Sequence, residues 1–288
     1  MELTFKKLSA MNFEKAHALF NKGFEGYMIP MNLTMDQFVG RFGTEGLSTE
    51  LSVVAYDGEV PIGFVLQGIR EEAGVKISWN GGTGIIPEYR GKLVGNQLIQ
   101  EAEQILRVHK VQIATLEALS ENLPAIRLYE KCGYHIADKL VFLSGKGRLV
   151  EELPPLEKYE IERFPAFQII GSEIFQALVP WQTAAGIVPK VGGEVVLLTK
   201  EGILKVACLI RKKAVYGKKD ESITLFQLSG NDNAAEIDLL LAYALEYNQD
   251  LVRSTYNFIN GDGTIVTSLL KSGFEDTPIS QVFMTKSL

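Results

Sequence analysis

The sequence predicts an α+β fold built from two similar domains, each a mixed, mostly antiparallel sheet flanked by helices. Strand-type and helix-type periodicity alternate along all 288 residues, a length that suits two domains of ordinary size. Residues 145–165 form a charged segment with three prolines between the halves. Turn glycines then recur at similar distances, since Gly202 follows Gly58 by 144 residues and Gly273 follows Gly133 by 140.

The first half has the order β-α-α-β-β-β-α-β-α-β. Asp57-Gly58 is a tight-turn pair between two apolar runs, which predicts a hairpin. Thr34 and Gln37 have capping-box spacing for the second helix, and Gly133 ends the fourth helix. Hydrophobic periodicity predicts strands at 3–8, 51–56, 60–69, 75–86, 112–118 and 134–143, and helices from residue 12 and at 34–42, 93–108 and 122–131.

The second half partly repeats this order. We expect helices at 172–178 and 233–247, a hairpin that turns at Glu201-Gly202, strands at 222–228, 251–259 and 274–284, and a short helix that ends at Gly273. The segment LYEKCGY (128–134) aligns with SLLKSGF (268–274). A second copy of the same unit is the simplest interpretation, so we expect domains at 1–145 and 166–288 joined by a linker at 146–165.

Charge and composition narrow the function classes. The net charge of −6 divides as −3 in residues 1–145 and −3 in residues 146–288, so neither half is a basic nucleic-acid-binding domain. Cys132 and Cys208 cannot form a disulfide framework, and the three histidines are too widely spaced to predict a metal site. No apolar run reaches 18 residues. We expect a cytoplasmic protein, monomer or homodimer, with no metal, no nucleic acid and no membrane partner.

The segment G-I-I-P-E-Y-R-G-K-L-V-G (84–95) lies at a predicted strand-to-helix junction. A helix start presents unpaired N–H groups and the positive end of the helix dipole, which favour an anion. Arg90 and Lys92 add positive charge at the same place, so the segment suits an anion such as pyrophosphate. A P-loop is excluded because Gly84 lies seven positions before Gly91, and Leu93 replaces the hydroxyl that holds Mg²⁺. A dinucleotide fingerprint is excluded because Pro87 stands where its third glycine belongs. The remaining pattern is [RQ]-x-x-G-x-[GA] before an amphipathic helix.

This pattern resembles the acetyl-CoA loop of the GCN5-related N-acetyltransferase (GNAT) superfamily. The family's preceding strand ends in V-x-P-x-x-R-G, and here the chain reads I-I-P-E-Y-R-G. Its next strand and helix read L-E-V…N-x-x-A-x-x-L-Y-x-x-x-G-F, and here residues 116–134 contain L-E-A…N-L-P-A-I-R-L-Y-E-K-C-G-Y. The strand order extends the resemblance over residues 1–145. Leu93 departs from the pattern, which has glycine there, and its Cβ would disfavour a positive φ or crowd the pyrophosphate.

The resemblance implies direct acetyl transfer from acetyl-CoA to a primary amine of a small molecule or of a peptide or protein. It implies that Tyr129 protonates the departing CoA thiolate as general acid, and Glu117 is a candidate for the general base. The family's cofactor arm lies between two splayed strands, with the thioester carbonyl on a backbone N–H near Ile85 or Ile86. The expected cofactor-binding residues are Ile85, Ile86, Arg90, Gly91, Lys92, Leu93, Val94, Gly95, Asn96, Asn122, Ala125 and Tyr129. The expected acceptor-binding residues are Tyr27, Met28, Trp79 and Asn80.

The second half lacks these features. The residues equivalent to 90–95 are S-G-N-D-N (229–233), which hold no cation and include Asp232, and the tyrosine position holds Leu269. We therefore expect a degenerate domain that binds no acetyl-CoA and either covers the acceptor cleft or mediates dimerisation. One alternative, made plausible by Leu93, is a non-catalytic acyl-CoA-binding or regulatory protein, and a second is an interaction scaffold with no cofactor. The residues leave the amine acceptor and the general base open.

Overall fold

The structure, a computed structural model, describes residues 3–72, 74–176, 178–213, 221–261 and 263–288. It divides into two compact units, the first made of Met1–Ala137 with Phe283–Leu288 and the second of Asp138–Val282. The chain leaves the first unit after residue 137 and returns to it for the C-terminal segment. This division differs from the expected domains at 1–145 and 166–288, because each half ends in a strand that continues into the other unit.

The first unit contains most of the elements expected for the first half. Its strands are β1 (Leu3–Lys7), β2 (Leu47–Asp57), β3 (Val60–Glu72), β4 (Val75–Ile85) and β5 (Ile113–Leu119). Its helices are α1 (Phe13–Gly23), α2 (Met35–Thr44), α3 (Val94–Val108) and α4 (Leu123–Lys131). The strands lie in the order β1-β2-β3-β4-β5, antiparallel except for the parallel pair β4–β5. The predicted elements of residues 3–131 are confirmed, including the hairpin at Asp57-Gly58.

Side-chain caps explain where two of these helices begin. The side chain of Asn12 accepts a hydrogen bond from the Lys15 N–H at 2.9 Å and caps α1. Thr34 and Gln37 form the predicted capping box at the start of α2, through bonds of 3.2 and 2.8 Å. Helix α3 differs, because its N-cap residue, Leu93, provides no side-chain hydrogen bond. Its first N–H groups are therefore not bonded by a capping side chain.

The last turn of α1 lies directly on the backbone of β4. A Cβ on Gly84 would lie 2.5 Å from the Phe64 ring and 3.3 Å from the Cα of Gly23. The Phe64 ring is held in turn by Phe20 and Phe24, whose ring centroids lie 5.5 and 5.9 Å away. Glycine at both contact points lets the helix and strand backbones approach, which brings the segment after α1 to the end of β4.

We expect Gly84→Ala to destabilise the protein by about 1–3 kcal/mol, because the new methyl group must displace the packed Phe64 ring. Gly40→Ala is the matched control. Gly40 lies inside α2 with nothing within 4 Å of an added Cβ, so this change should stabilise the helix by up to about 1 kcal/mol. The free energy of unfolding in urea measures both effects, and equal stability of the two variants would contradict the close contact.

The second unit begins within β6 (His135–Gly147) and ends within β13 (Glu275–Ser287). Its other strands are β7 (Tyr159–Pro165), β8 (Glu194–Lys200), β9 (Ile203–Lys213), β10 (Ser222–Gly230), β11 (Leu251–Thr255) and β12 (Phe258–Ile259). Its helices are α5 (Ala234–Ala244) and α6 (Thr264–Lys271). The order β6-β11-β10-β9-β8-β7 contains one parallel pair, β10–β11, among the described residues. An antiparallel pair, a helix and a parallel strand therefore recur, which confirms the predicted repeat of the fold.

Several predictions for the second half need correction. Residues 146–165 include the strand β7, whose Tyr159 and Ile161 pack against the core while Glu160 between them faces outward. The described residues of 172–178 form no helix, because Phe175 is buried in a small core built around short 3₁₀ turns that include Ala166 and Val188. The strand expected at 251–259 is divided between β11 and β12 at Asn257, whose φ is 44°.

Candidate functional site

The strands β4 and β5 separate at the centre of the first unit. Their parallel pairing ends at Asn80 and Leu116, whereas β4 continues to Ile85. The antiparallel pairing of β4 with β3 also continues, across a bulge at Gly81. An opening therefore begins between β4 and β5 beyond Asn80, as the resemblance implies.

Two backbone N–H groups of β4 face this opening. Hydrogen-bonded and non-hydrogen-bonded residue pairs alternate along an antiparallel ladder. The Ile86 N–H donates to the Ile62 carbonyl at 3.0 Å, which sets the alternation and turns the N–H groups of Thr83 and Ile85 away from β3. Of the two residues expected to hold a thioester carbonyl, Ile85 is oriented for that role. Ile86 is not, because its N–H is already bonded.

The N-terminus of α3 follows the end of β4 and could hold an anion. Gly91 and Leu93 both adopt left-handed conformations, with φ of 76° and 62°, and turn the chain into the helix. Lys92 between them is exposed, and its Nζ lies 5.0 Å from the centre of the Tyr89 ring. The first turn of α3 has no acidic side chain and includes Val94, Gly95 and Asn96. The uncapped N–H groups, the helix dipole and Lys92 together suit a phosphate.

We expect Leu93→Gly to raise the free energy of unfolding by up to about 1 kcal/mol, because a left-handed conformation costs a residue with a Cβ about that much. The Leu93 side chain is 70% exposed, so its removal sacrifices little burial. Urea denaturation measures the change, and Leu93→Ala, which keeps the Cβ, is the control that should give no comparable gain. A glycine variant less stable than the natural protein would contradict this assignment of strain.

Arg90 has a structural role that the sequence did not predict. Its Nε and Nη2 atoms donate to backbone carbonyl oxygens of Ile85, Gly23 and Glu25 at 2.9, 3.1 and 2.7 Å. Arg90 therefore ties the end of β4 to the end of α1, where the helix dipole also favours a cation. Its charge stays near α3, but its guanidinium is already engaged by the protein.

Gly95 also has a packing role. A Cβ at this position would lie 2.8 Å from the side chain of Leu128 in α4. The missing side chain thus allows α3 and α4 to pack closely at the start of α3. The close approach that Gly95 permits is between two helices, whereas the sequence suggested an approach to a bound group.

Tyr129 is buried in α4 beside the opening, with 7% of its surface exposed. The side chains of Thr83 and Asn80 lie close enough to its hydroxyl to lower its pKa by hydrogen bonding, and Asn80 Nδ2 donates to Thr83 Oγ1 at 2.8 Å. Burial raises the pKa of Tyr129 to about 12. The hydroxyl therefore stays protonated at neutral pH, which is the form that a general acid requires. No pattern in the sequence singled out Thr83.

Tyr27 and Asn122 meet next to Tyr129. Asn122 caps α4 by accepting a hydrogen bond from the Ala125 N–H at 3.3 Å, and its Nδ2 lies 3.5 Å from the Tyr27 hydroxyl. Tyr27 also lines an open pocket of about 390 Å³ formed by the segment after α1. Met28 is half exposed and does not line that pocket. The structure brings Tyr27, Asn122 and Ala125 to the site but does not bring Met28 there.

Trp79 and Glu117 lie on the other face of the sheet. Trp79 Nε1 donates to Glu117 Oε2 at 2.6 Å, and the guanidinium of Arg41 in α2 lies 5.8 Å from the Trp79 ring. Trp79 is only 2% exposed, so it orients Glu117 and does not line an open pocket as expected. Asn80, expected beside Trp79, faces Tyr129 because of the bulge at Gly81.

Sequence reasoning also missed Arg41. Its Nη2 donates to the Gly81 carbonyl at 2.8 Å, and its Nε pairs with Glu45 at 2.7 Å. Arg41 therefore ties α2 to the bulge in β4 that decides which face each site residue occupies. The capping box predicts the helix but carries no signal for which strand this arginine contacts.

In the part of the chain that the structure describes, no three His, Cys, Asp or Glu side chains come together in a way that could hold a metal ion. No helix in the same ranges is long and apolar enough to cross a bilayer.

Comparisons with known proteins agree with the fold. Residues 14–134 match the acetyltransferase (GNAT) family model. No curated protein matches the sequence. A tandem GNAT protein from the clavulanic acid biosynthesis pathway is 14% identical over 99% of this chain and 98% of its own, with a TM-score of 0.58. Two GCN5-related N-acetyltransferases, from Sphaerobacter thermophilus and Anabaena variabilis, are each 14% identical to this chain with a TM-score of 0.59. Each match covers 99% of this chain, together with 95% of the Sphaerobacter protein and 73% of the Anabaena protein.

At such low identity, the solved structures establish the fold alone, and that fold extends over almost the whole chain. The family match lies entirely within the first unit, where β4, β5, α3 and Tyr129 form the candidate site. Residues 14–134 of the first unit are therefore similar to the GNAT acetyltransferase family, and over its length the chain has a fold similar to that of a tandem GNAT protein.

Proposed function

We propose that the first unit transfers an acetyl group from acetyl-CoA to a primary amine of a small molecule or of a peptide or protein. One observation carries the proposal. The N–H groups of Thr83 and Ile85 face the opening between β4 and β5, beside the buried Tyr129 hydroxyl. That combination offers a donor for a carbonyl oxygen and an acid for a leaving group within one site.

The residues around α3 fit the phosphates of acetyl-CoA. Lys92 and the first N–H groups of α3 would hold the pyrophosphate, since this turn has no acidic side chain and no side-chain cap. Arg90 adds positive charge nearby, although its Nε and Nη2 atoms already donate to backbone carbonyl oxygens. Asn122 and Tyr27 lie next to the opening and would contact the cofactor arm or the acceptor.

The thioester of bound acetyl-CoA supplies the acetyl group, and CoA thiolate is the leaving group. The Ile85 N–H holds the carbonyl oxygen, and the splayed strands orient the reactants so that proximity supplies much of the rate. Tyr129 gives its proton to the thiolate, and its pKa of about 12, set by burial, keeps that proton available throughout the neutral range. Glu117, on the opposite face of the sheet, accepts the proton of the acceptor ammonium. Tyr129 thus acts on the leaving group from one face of the sheet, and Glu117 acts on the attacking amine from the other face.

We also propose that the second unit binds no acetyl-CoA. The start of α5 is capped by Asn233, whose side chain accepts from the N–H groups of Ala235 and Glu236 at 3.1 and 3.4 Å. Glu236 is an acidic residue in the first turn, and its carboxylate accepts hydrogen bonds from Asn231 and Tyr159 at 2.6 and 2.9 Å. The N–H groups are occupied and the local charge is negative, so this helix start does not suit a pyrophosphate.

A screen for CoA release tests the proposed function. The full chain is mixed with acetyl-CoA and a panel of small amines, lysine-containing peptides and peptides with free N-termini, and free thiol is followed by absorbance. Amine-dependent release, with the acetylated product found by mass spectrometry, is the expected result. Binding of acetyl-CoA without turnover by any panel member would favour the non-catalytic acyl-CoA-binding alternative.

A further inference from the structure

The C-terminal segment Phe283–Leu288 belongs to the first unit, far along the chain from the residues that it joins. Its Leu288 N–H donates to the Gln112 carbonyl at 3.1 Å, just before β5. Thr285 Oγ1 lies 3.1 Å from His135 Nε2. Lys286 makes shorter contacts, and its ammonium lies 2.7 Å from both carboxylate oxygens of Glu103.

Lys286 also contacts the end of α4. Its Nζ donates to the Cys132 carbonyl at 2.6 Å, where the helix dipole favours a cation. Its side chain passes over the turn at Gly133, where an added Cβ would lie 3.4 Å from the lysine Cε. The ammonium lies 5.9 Å from the centre of the Tyr134 ring, which makes an edge-on contact with the ring of Tyr129. A single side chain thus joins α3, through Glu103, to the end of the helix that carries Tyr129.

This ion pair is shielded from water. The side chains of Lys286 and Glu103 are 17% and 11% exposed. A buried carboxylate that loses its only cationic partner is strongly unfavourable, because it cannot recover its hydration. Glu103 and the Cys132 carbonyl both carry negative charge toward the lysine, so without it they would repel each other. The ammonium therefore fixes the distance between α3 and the end of α4.

We propose that the C-terminal segment is a working part of the catalytic unit, and that Lys286 is a positioning residue that holds α4, and with it the Tyr129 hydroxyl, in register with α3. The effect of Lys286 on catalysis rests on the proposed acetyl transfer. The structural part of the proposal, the fixed placement of Tyr129, stands independently of turnover. The first 137 residues therefore do not form the complete catalytic unit, although they contain every proposed acetyl-CoA ligand.

Three full-length variants separate positioning from simple loss of folding. Lys286→Met leaves the Glu103 carboxylate buried without its cation, so it reports mainly on stability. The double variant Glu103→Gln with Lys286→Met removes both charges and is expected to stay folded without the link. Lys286→Arg keeps a cation and is the rescue variant. Lys7→Met, which breaks an exposed ion pair with Glu50, is the matched control.

Two measurements are made on each folded variant. The first is the pair of steady-state constants, kcat and KM. The second is the NMR resonance of Tyr129 in protein labelled with ¹³C at the tyrosine ring ζ position, which is assigned with the Tyr129→Phe variant. In the double variant we expect kcat to fall about tenfold or more, KM for acetyl-CoA to stay within about twofold, and the Tyr129 resonance to move. Lys286→Arg should restore both readouts in large part, and the control should change neither. A folded double variant with natural kcat and an unmoved Tyr129 resonance would overturn the proposal.

Failure of the proposed function gives a different result. If the natural chain turns over no amine of the panel, the non-catalytic alternative is favoured and the positioning role is decided by the Tyr129 resonance alone. A shift in the double variant, reversed in Lys286→Arg, then supports the positioning role. An unmoved resonance overturns it.

Discussion

Tyr129→Phe is expected to lower kcat about 100-fold while the affinity for acetyl-CoA changes little, because a positioned general acid contributes about 10²–10⁴ to a rate. The substitution removes one oxygen and keeps the buried ring. The hydroxyl is the part of the side chain that lies beside Thr83 and Asn80 at the opening of the sheet. Steady-state kinetics with the best amine from the screen, together with calorimetric titration of acetyl-CoA, separate the two effects.

Tyr134→Phe is the control for Tyr129→Phe. Tyr134 is equally buried, follows the same helix and packs edge-on against Tyr129 at 5.9 Å. It lies outside the proposed machinery, so its loss should leave kcat within about threefold of the natural value. A natural kcat in Tyr129→Phe would remove this tyrosine from the mechanism. Equal losses in both variants would show that the effect comes from packing.

Arg253→Met is expected to lower the free energy of unfolding by about 3–5 kcal/mol, the largest stability effect that we predict. Arg253 on β11 is completely buried, and its guanidinium lies beside the Tyr247 ring at 5.8 Å. Its donors meet backbone carbonyl oxygens of the segment after α5, of β11 itself and of β6, those of Leu245, Glu246, Gln249, Leu251 and Gly147. Methionine fills a similar volume but leaves these buried acceptors without their donor.

Urea denaturation followed by circular dichroism measures the loss in Arg253→Met. Arg148→Met is the matched control in the same unit, because Arg148 is half exposed and pairs with the exposed Glu151 at 3.1 Å. A surface pair of this kind contributes at most about 1 kcal/mol. Similar stabilities for the two variants would show that solvent can reach the carbonyl groups around position 253.

The sequence predicts the first unit well because local signals dominate there. The turn at Asp57-Gly58, the capping box of Thr34 and Gln37, and the cap at Asn122 each involve residues within four positions of one another. Such signals need no knowledge of the tertiary structure. The helix wrongly predicted at 172–178 has no such local signals. The apolar residues whose spacing suggested it, such as Phe175, pack into a small core around 3₁₀ turns.

The arrangement of the candidate site depends on contacts that sequence periodicity does not encode. Strict alternation along β4 places Asn80 on the face opposite Thr83, but the bulge at Gly81 puts both beside Tyr129. The resemblance to the GNAT loop suggests that Arg90 is a phosphate ligand, yet the motif cannot show that its Nε and Nη2 atoms donate to the carbonyl groups of Ile85, Gly23 and Glu25. Lys286 lies 152 residues beyond the motif, and no pattern links it to the site.

Calorimetric titration of acetyl-CoA into the full chain tests most directly the claim that the first unit alone binds the acetyl donor. We expect one molecule bound per chain, with affinity at least about tenfold weaker in Lys92→Glu, because a carboxylate then replaces the cation beside the pyrophosphate. Asp232→Ala, at the equivalent turn of the second unit, should bind like the natural chain. Two molecules per chain, or an undiminished affinity in Lys92→Glu, would contradict the account.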